Sequence, residues 1–272
     1  MEIKTELQNV LQQPTIVFSD ELLVKMLTYI GHPDSELRDS IICNLFYAGI
    51  PTGEISVKQQ QWLLDQILDK QLIMTGINEV TGDRVFTRTF SLLVLALIIA
   101  EDSKSQFISE VQLALIFRLA NTYLRTEQDT RGYVESKGWA HGVAHGADLL
   151  VSIVSHPSFT QAMIPEIQQT IECVLFRKTE PFMADEEGRL CQIIVTQLVK
   201  YPQSADYLVL WLKEMLVRLA VKQNEEDPFE TYQFERKIFQ FIEALYFRLV
   251  ISNKPEISEQ LLTLILSKHK GG

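Results

Sequence analysis

Apolar residues recur every three to four positions along almost the whole chain, which is the spacing that places them on one face of an α-helix. The first such segment, Glu21–Ile30, ends at Gly31, and Pro33 prevents its continuation. Further helices are predicted near 35–48, 56–69, 84–101, 104–125, 138–155, 158–176, 185–201, 203–223, 229–252 and 255–268. Alternation with a period of two between hairpin turns is missing, so no strand is predicted and the fold class is all-α.

A weaker regularity accompanies this pattern, because an acidic residue followed closely by an arginine opens alternate predicted helices. The starting acids are roughly 45–55 positions apart, close to the period of helix-pair solenoids. The pairs are Asp34 with Arg38, Asp83 with Arg84 and Arg88, Asp129 with Arg131, Glu186 with Arg189, and Glu235 with Arg236. The segment His32–Ile42 is also similar to the opening of the second helix of a HEAT repeat. We therefore expect one domain over 1–272, a right-handed α-α superhelix (HEAT-like solenoid) of about five to six helix pairs with a concave face.

Composition and charge narrow the class of protein. Of the 272 residues, 46% are hydrophobic and 22% are charged, which is typical of a globular protein, and the net charge is −10. An acidic surface repels phosphate backbones, so no nucleic-acid partner is expected. The N-terminus lacks the apolar core of a signal peptide. The longest apolar run, Phe90–Ala100, is shorter than the about 20 residues that span a bilayer. We expect a cytoplasmic protein with no membrane partner.

The stretch from Trp139 to Leu150 carries the first candidate site. Read as a helix from about Trp139, it places His141, His145 and Asp148 in one stripe, here called the histidine stripe. Two imidazoles one turn apart and a carboxylate can hold a divalent metal in a three-ligand open site. The alternatives are a buried hydrogen-bonded network that fixes helix packing, and a ligand-binding surface without metal. The stripe lacks the glutamate of a His-Glu-x-x-His zinc protease.

Cationic residues precede the stripe. Arg131, Lys137 and Trp139 come directly before the predicted helix, whose N-terminus attracts anions. With Arg88 from the preceding predicted repeat, they would bind a phosphate or a carboxylate. The alternative is that each arginine pairs with a nearby acid such as Asp83 or Asp129. We favour this pairing for Arg84 and Arg131, and both uses stay open for Arg88.

Two residues open the next predicted helix pair, Glu187 and Arg189. If stacking brings Glu187 near His141 or His145, it becomes a fourth metal ligand or a general base. Otherwise acids in a first turn satisfy backbone amides and the helix dipole.

Four segments resemble an uncharacterised bacterial family catalogued as domain of unknown function 2785. They are Asp83–Ser91, Arg131–Leu149, Asp185–Leu190 and Ala244–Leu249, and the resemblance extends over nearly the whole chain. It implies an α-solenoid and a bacterial cytoplasmic origin. It implies no activity, because none is established for the family.

These observations lead to one expectation and one alternative. We expect a binding protein for an unknown protein or small-molecule ligand, with a polar concave site around the Gly-Trp-Ala-His segment and no cofactor. The alternative is a metal-dependent hydrolytic enzyme that uses His141, His145 and Asp148, with a divalent metal. The candidate site residues are Arg88, Arg131, Lys137, Trp139, His141, His145, Asp148, Glu187 and Arg189.

Overall fold

The computed structural model describes residues 2–225 and 227–269. Contacts between Cα atoms divide the chain into two compact units, Met1–Ser158 and Phe159–Gly272. Helices account for most of the described residues in each unit, which confirms the all-α fold class. Within this part of the chain, no helix combines the length and the apolar character needed to cross a membrane.

The first unit is built from helices α1 (Glu2–Leu11), α2 (Asp20–Thr28), α3 (Asn44–Gly49), α4 (Val57–Asp69), α5 (Arg84–Ser105), α6 (Glu110–Thr126) and α7 (Gly142–Ser155). A π-helix, Glu36–Cys43, runs directly into α3, and a 3-10 helix covers Leu72–Met74. Two short antiparallel strands, β1 (Tyr133–Val134) and β2 (Gly138–Trp139), lie between α6 and α7.

Serine side chains fix the starts of three of these helices. Ser19, Ser56 and Ser109 each accept a hydrogen bond from a backbone amide in the first turn of α2, α4 and α6. At α4 the backbone amide of Ser56 also donates to the Gln59 side chain at 3.0 Å, which completes a capping box. These bonds satisfy amides that have no partner inside the helix.

Helix α5 forms the centre of the first unit. Most of its apolar run, Phe90–Ala100, is buried, as expected for a helix that is apolar on all sides. It packs along α7, and α6 packs against that same helix. This packing places the N-terminal turns of α5, with Arg88, beside the connection between α6 and α7.

The second unit contains α8 (Ile164–Leu175), α9 (Glu186–Lys200), α10 (Ala205–Glu225), α11 (Pro228–Ile251) and α12 (Pro255–His269). The 3-10 helices Gln161–Met163 and Pro202–Ser204 precede α8 and α10. Helix α11 packs against α8, α9, α10 and α12, so its buried face, with Phe241 and Ile242, forms the middle of this unit.

The element boundaries correct the sequence expectation in several places. Helix α5 continues to Ser105, α6 begins at Glu110 rather than near 104, and α8 begins at Ile164 rather than near 158. Helix α1 is not predicted by the hydrophobic pattern. Helix α7 begins at Gly142 rather than at about Trp139. The short strands were also missed, because two residues are too few to show a period of two.

The acid–arginine pairs do not all open helices. Asp129 and Arg131 lie in the connection between α6 and α7, and Glu235 and Arg236 lie inside α11. The proposed period is therefore wrong at these two pairs. Asp83 and Glu186, in contrast, do stand at the starts of α5 and α9.

Candidate functional site

The connection between α6 and α7, residues 127–141, is here called the hairpin loop. Its strands pair Tyr133 with Trp139 and Val134 with Gly138. Gly138 has a φ of +81°, and a Cβ atom there would lie 2.6 Å from Ser35 Cβ, so the chain needs glycine at this position. The amides of Ala140 and His141 donate to the carbonyls of Gly132 and Arg131 at 2.8 and 3.2 Å, which closes the loop on itself.

A fully buried ion pair lies beneath the hairpin loop. Arg88 Nε and Nη2 donate to Glu127 Oε2 and Oε1 at 2.6 and 2.7 Å, and both side chains are inaccessible to solvent. The buried Tyr123 hydroxyl lies 2.6 Å from Glu127 Oε2, and the Asp129 amide donates to Glu127 Oε1 at 2.8 Å. Burial lowers the pKa of Arg88 while the Glu127 carboxylate raises it, and the net shift is upward. Arg88 is therefore a structural cation and does not reach a ligand.

Two further ion pairs hold the outer part of the loop. Arg131 Nε donates to Asp129 Oδ1 at 2.8 Å, and its Nη2 donates to the carbonyl of Gly82 at 2.9 Å. Lys137 Nζ lies 2.7 and 2.8 Å from the two carboxylate oxygens of Asp83. The expected alternative, in which arginine pairs with a nearby acid, thus describes Arg131. Both cations pair with carboxylates in the structure, and the anion site that the sequence suggested stays a prediction.

A second buried arginine fixes the turn of the hairpin. Arg38, in the π-helix, donates from Nη2 to the carbonyl of Lys137 at 2.6 Å and from Nη1 to the carbonyl of His32 at 2.8 Å. Its guanidinium carbon lies 4.0 and 4.7 Å from the ring centroids of Phe86 and Phe90. Burial lowers its pKa, and the Asp39 carboxylate, 2.7 Å from Nε, opposes that shift. The guanidinium is stabilised by carbonyls and aromatic faces as well as by a carboxylate.

The aromatic side chains of the loop form a continuous series. Trp139 and His141 stack with ring centroids 4.4 Å apart and an interplanar angle of 3°. Tyr133 meets Trp139 edge-on at 5.2 Å, and His141 meets His145 at 5.4 Å. His145 in turn packs against the ring of Phe90 at 5.3 Å. The series therefore runs from the surface into the core of the first unit.

The outer end of this series is open to solvent. Tyr133 is 64% exposed and Trp139 is 44% exposed, whereas His145 is only 7% exposed. His141 lies between them, with a left-handed backbone conformation (φ 49°) that is unusual for a residue with a side chain. A loop that is held by ion pairs and exposes aromatic rings to solvent is typical of a recognition surface.

Only part of the predicted histidine stripe lies on a helix. His141 precedes α7 rather than lying on it, while His145 and the half-buried Asp148 lie on the helix. In the described residues, no three histidine, cysteine, aspartate or glutamate side chains are grouped so that they could hold a metal ion. The metal site therefore stays a prediction that the arrangement of the described side chains does not support.

Glu187 and Arg189 lie in the second unit, in the first turns of α9. Glu187 is half-buried, and burial raises the pKa of its carboxyl. Arg189 is exposed, and its backbone amide donates to the carbonyl of Asp185 at 3.1 Å. Their expected role beside the histidines stays a prediction.

Sequence reasoning missed the residues that organise the loop. Glu127 lies 39 positions from Arg88 in a segment without periodicity, so no local pattern joins them. Arg38 and Tyr133 were also absent from the candidate set. One signal was available, since an arginine one turn inside an apolar helix requires a buried acceptor. That reasoning points to a carboxylate partner for Arg88 but does not identify it.

Comparison with known proteins places the chain in a family. The model of a family described as “Protein of unknown function (DUF2785)” matches residues 73–247, more than half of the chain. The chain belongs to this family. The DUF2785 match includes the whole hairpin loop with Arg88, Glu187 and Arg189, and it leaves out α1–α4. No curated protein and no solved structure matches the chain. The function of this DUF2785 protein is therefore unknown and must be argued from its site.

Proposed function

We propose that the chain is a binding protein and that the exposed rings of the hairpin loop, Tyr133 and Trp139 with His141 behind them, dock a partner protein. The observation that supports this most is the combination of a 44% exposed tryptophan with a loop fixed by three ion pairs. Aromatic side chains are enriched among the residues that dominate binding energy at protein interfaces.

The anchoring of the loop supports binding rather than a purely structural role. A loop that is already ordered loses little conformational entropy when a partner binds, so more of the contact energy becomes affinity. The loop also carries charge next to the rings in sequence, on the exposed Glu135 and on Lys137, which pairs with Asp83. A charged rim around an aromatic centre is the usual composition of a protein interface. The net charge of −10 favours a partner with a basic or neutral surface.

The alternative, a metal-dependent hydrolase, needs a different test. Elemental analysis of protein purified without a metal-affinity tag decides it directly. A stoichiometric divalent metal that is lost in His145→Ala would favour the enzyme. The described geometry gives no reason to expect that result.

Photo-crosslinking tests the docking surface. A photoreactive phenylalanine analogue replaces Tyr133, and in a control chain it replaces Phe247, which is 62% exposed on α11. Both chains are irradiated in lysate of the organism that encodes the protein. We expect a discrete adduct at position 133 that is absent at position 247 and disappears when Trp139→Ala is added.

Two results contradict the proposal. One is the same adduct from both positions, which indicates nonspecific contact. The other is an adduct at position 133 that survives Trp139→Ala. His141→Asn serves as a second variant, because asparagine tolerates the left-handed backbone while it removes the stacked ring. It should weaken the adduct without unfolding the chain.

We also infer that the helices stack as a HEAT-like solenoid and that the protein is bacterial and cytoplasmic. The acid–arginine pairs at the starts of α5 and α9 and the family resemblance support this inference. An experimental structure tests the stacking, and cell fractionation of the source organism tests the location.

A further inference from the structure

A second candidate site lies in the first unit, away from the hairpin loop. Helices α2 and α4 border a cavity of about 490 Å³, with Thr87 of α5 also lining it. Trp62 and Gln66 line it from α4, and Lys70 lines it from the C-cap position of that helix. They are spaced four residues apart, so they form one stripe along the helix. This volume is within the range of about 300–1,000 Å³ that is typical of sites for small molecules.

The polar groups of the cavity suit an anion. No aspartate or glutamate is among its lining residues, although the chain carries a net charge of −10. Lys70 is exposed and forms no ion pair within the described part of the chain. His32 Nδ1 accepts a hydrogen bond from the Asp34 amide at 3.1 Å, so its Nε2 carries the hydrogen and is a donor. A cation and a donor without a carboxylate favour an acceptor ligand with negative charge.

The lining also contains an apolar part, beside the uncharged polar residues Thr28, Gln66 and Thr87. Leu27 and Ile30 are buried beneath the cavity, and Trp62 is half-buried on its wall. An apolar body would remove this surface from water, while a single charged group meets Lys70 at the edge. An ion with no apolar part, such as inorganic phosphate, would leave the apolar part of the lining in contact with water.

We propose that this cavity binds a small organic carboxylate with an aromatic or branched apolar body. Lys70 pairs with the carboxylate, His32 donates a hydrogen bond, and Trp62 packs on the body. Apart from Thr87, the lining residues precede the family match at residues 73–247. The site is thus a property of the N-terminal helices of this chain and is independent of the docking surface at Trp139.

Calorimetric titration tests the proposal with three acids, phenylacetate, indole-3-acetate and 4-methylpentanoate, and with the neutral amide of the first. We expect saturable binding of at least one acid and weaker binding of its amide. Lys70→Met keeps most of the apolar stem but removes the charge, and should weaken binding about tenfold or more, the effect of losing one charged hydrogen bond. Lys58→Met is the matched control, since Lys58 is on the same helix but does not line this cavity.

Each other outcome overturns the proposal. Absence of binding by all three acids at millimolar concentration removes the carboxylate site. Equal binding of acid and amide, or an equal loss in Lys58→Met and Lys70→Met, removes Lys70 as the recognising group. Trp62→Ala, with its helix content checked by circular dichroism, should abolish binding of the acids. Retained affinity in that variant would place the ligand elsewhere.

Discussion

The two buried arginines of the first unit are stabilised in different ways. Arg88 meets the carboxylate of Glu127 with two parallel hydrogen bonds, while Arg38 meets two carbonyls, two phenylalanine faces and the carboxylate of Asp39. Removing a cation from water is costly unless it is paired or hydrogen-bonded. Both arginines therefore lock the backbone of the hairpin loop, and neither is a free binding group.

Removing one partner of the buried pair of Arg88 and Glu127 should lower the free energy of unfolding more than removing both. Glu127→Gln leaves the buried guanidinium of Arg88 without its counter-charge, and we expect a loss of about 3–5 kcal/mol in the free energy of unfolding. Arg88→Met combined with Glu127→Met should recover part of that loss. Urea unfolding followed by circular dichroism measures both variants. A double variant less stable than Glu127→Gln would show that the pair contributes through packing instead.

A buried lysine in the second unit gives a pH-dependent prediction. Lys237 Nζ donates to the carbonyl of Arg177 and lies 3.3 Å from the carbonyl of Thr179. Burial, with the positive charge of Arg177, lowers its pKa from 10.5 to about 7. Between these values the unfolded chain binds more protons than the folded chain, so stability should rise as pH increases.

Lys237→Met should flatten this rise. The wild type should gain up to about 1.4 kcal/mol per pH unit more than the variant above pH 7, which is the limit for one proton. The measurement is the difference in the free energy of unfolding between the two chains from neutral pH to about pH 9. The difference matters rather than either absolute value, because methionine also leaves carbonyls without a donor at every pH. If the free energy of unfolding of the two chains changes with pH in parallel, Lys237 stays charged in the folded protein.

Which single residues matter was only partly predictable. The sequence predicts that Arg131 pairs with Asp129, because a partner two positions away is local information. The pairing of Arg88 with Glu127 joins two segments, and only the packing of α5 beside the hairpin loop brings them together. The stacking of His141 on Trp139 likewise needs the left-handed backbone at His141, which no periodicity indicates.

At the scale of elements, the start of α7 shows what a hydrophobic pattern leaves open. The apolar spacing continues through Gly138–Ala140, so the pattern predicts a helix there. Hydrogen bonds from Ala140 and His141 back to the hairpin loop take these residues out of the helix. The pattern gives the type of the long helices correctly, and the bounds of α10, α11 and α12 to within two residues, because burial repeats every turn. Helix ends depend on single contacts, and they are less predictable.

Gly142 is required by close approach of the backbone. A Cβ atom at this position would lie 2.6 Å from the carbonyl oxygen of Asp129, which the hairpin loop holds in place. Alanine ordinarily favours a helix over glycine by up to about 1 kcal/mol. Here we expect Gly142→Ala to destabilise the protein by about 1–3 kcal/mol, because the carbonyl cannot move without disturbing Glu127.

Ser155→Ala is the matched control for that change. Ser155 is exposed at the end of α7, and its replacement should change the free energy of unfolding by less than about 0.5 kcal/mol. Thermal unfolding monitored by circular dichroism compares the two variants. A Gly142→Ala chain as stable as the control would mean that the loop relaxes away from α7.

At the scale of the whole molecule, a testable property is whether the two units unfold together. The chain is longer than most single domains, which favours independent units. Other features favour one cooperative domain. The family match spans the boundary between Ser158 and Phe159, so the matched region includes parts of both units. The segment before the boundary is also not a loose linker, since His156 Nε2 lies 3.0 Å from Asp102 Oδ2 and its Nδ1 accepts from the Ser158 amide at 3.2 Å.

The tryptophans allow the two units to be followed separately. Trp62 and Trp139 report on the first unit, and Trp211 reports on the second. Trp211→Phe leaves only the first-unit reporters, and Trp62→Phe with Trp139→Phe leaves only the second-unit reporter.

If the chain is one domain, urea unfolding should give one midpoint for both fluorescence signals and for circular dichroism, as two-state behaviour requires. Midpoints that differ between the two fluorescence variants, with a biphasic circular dichroism curve in the wild type, would instead show two domains. Because Trp211 is buried, its replacement is itself a perturbation, so the wild-type circular dichroism curve decides the case if the variants differ in stability. We expect one transition, because the family match continues across the boundary between Ser158 and Phe159.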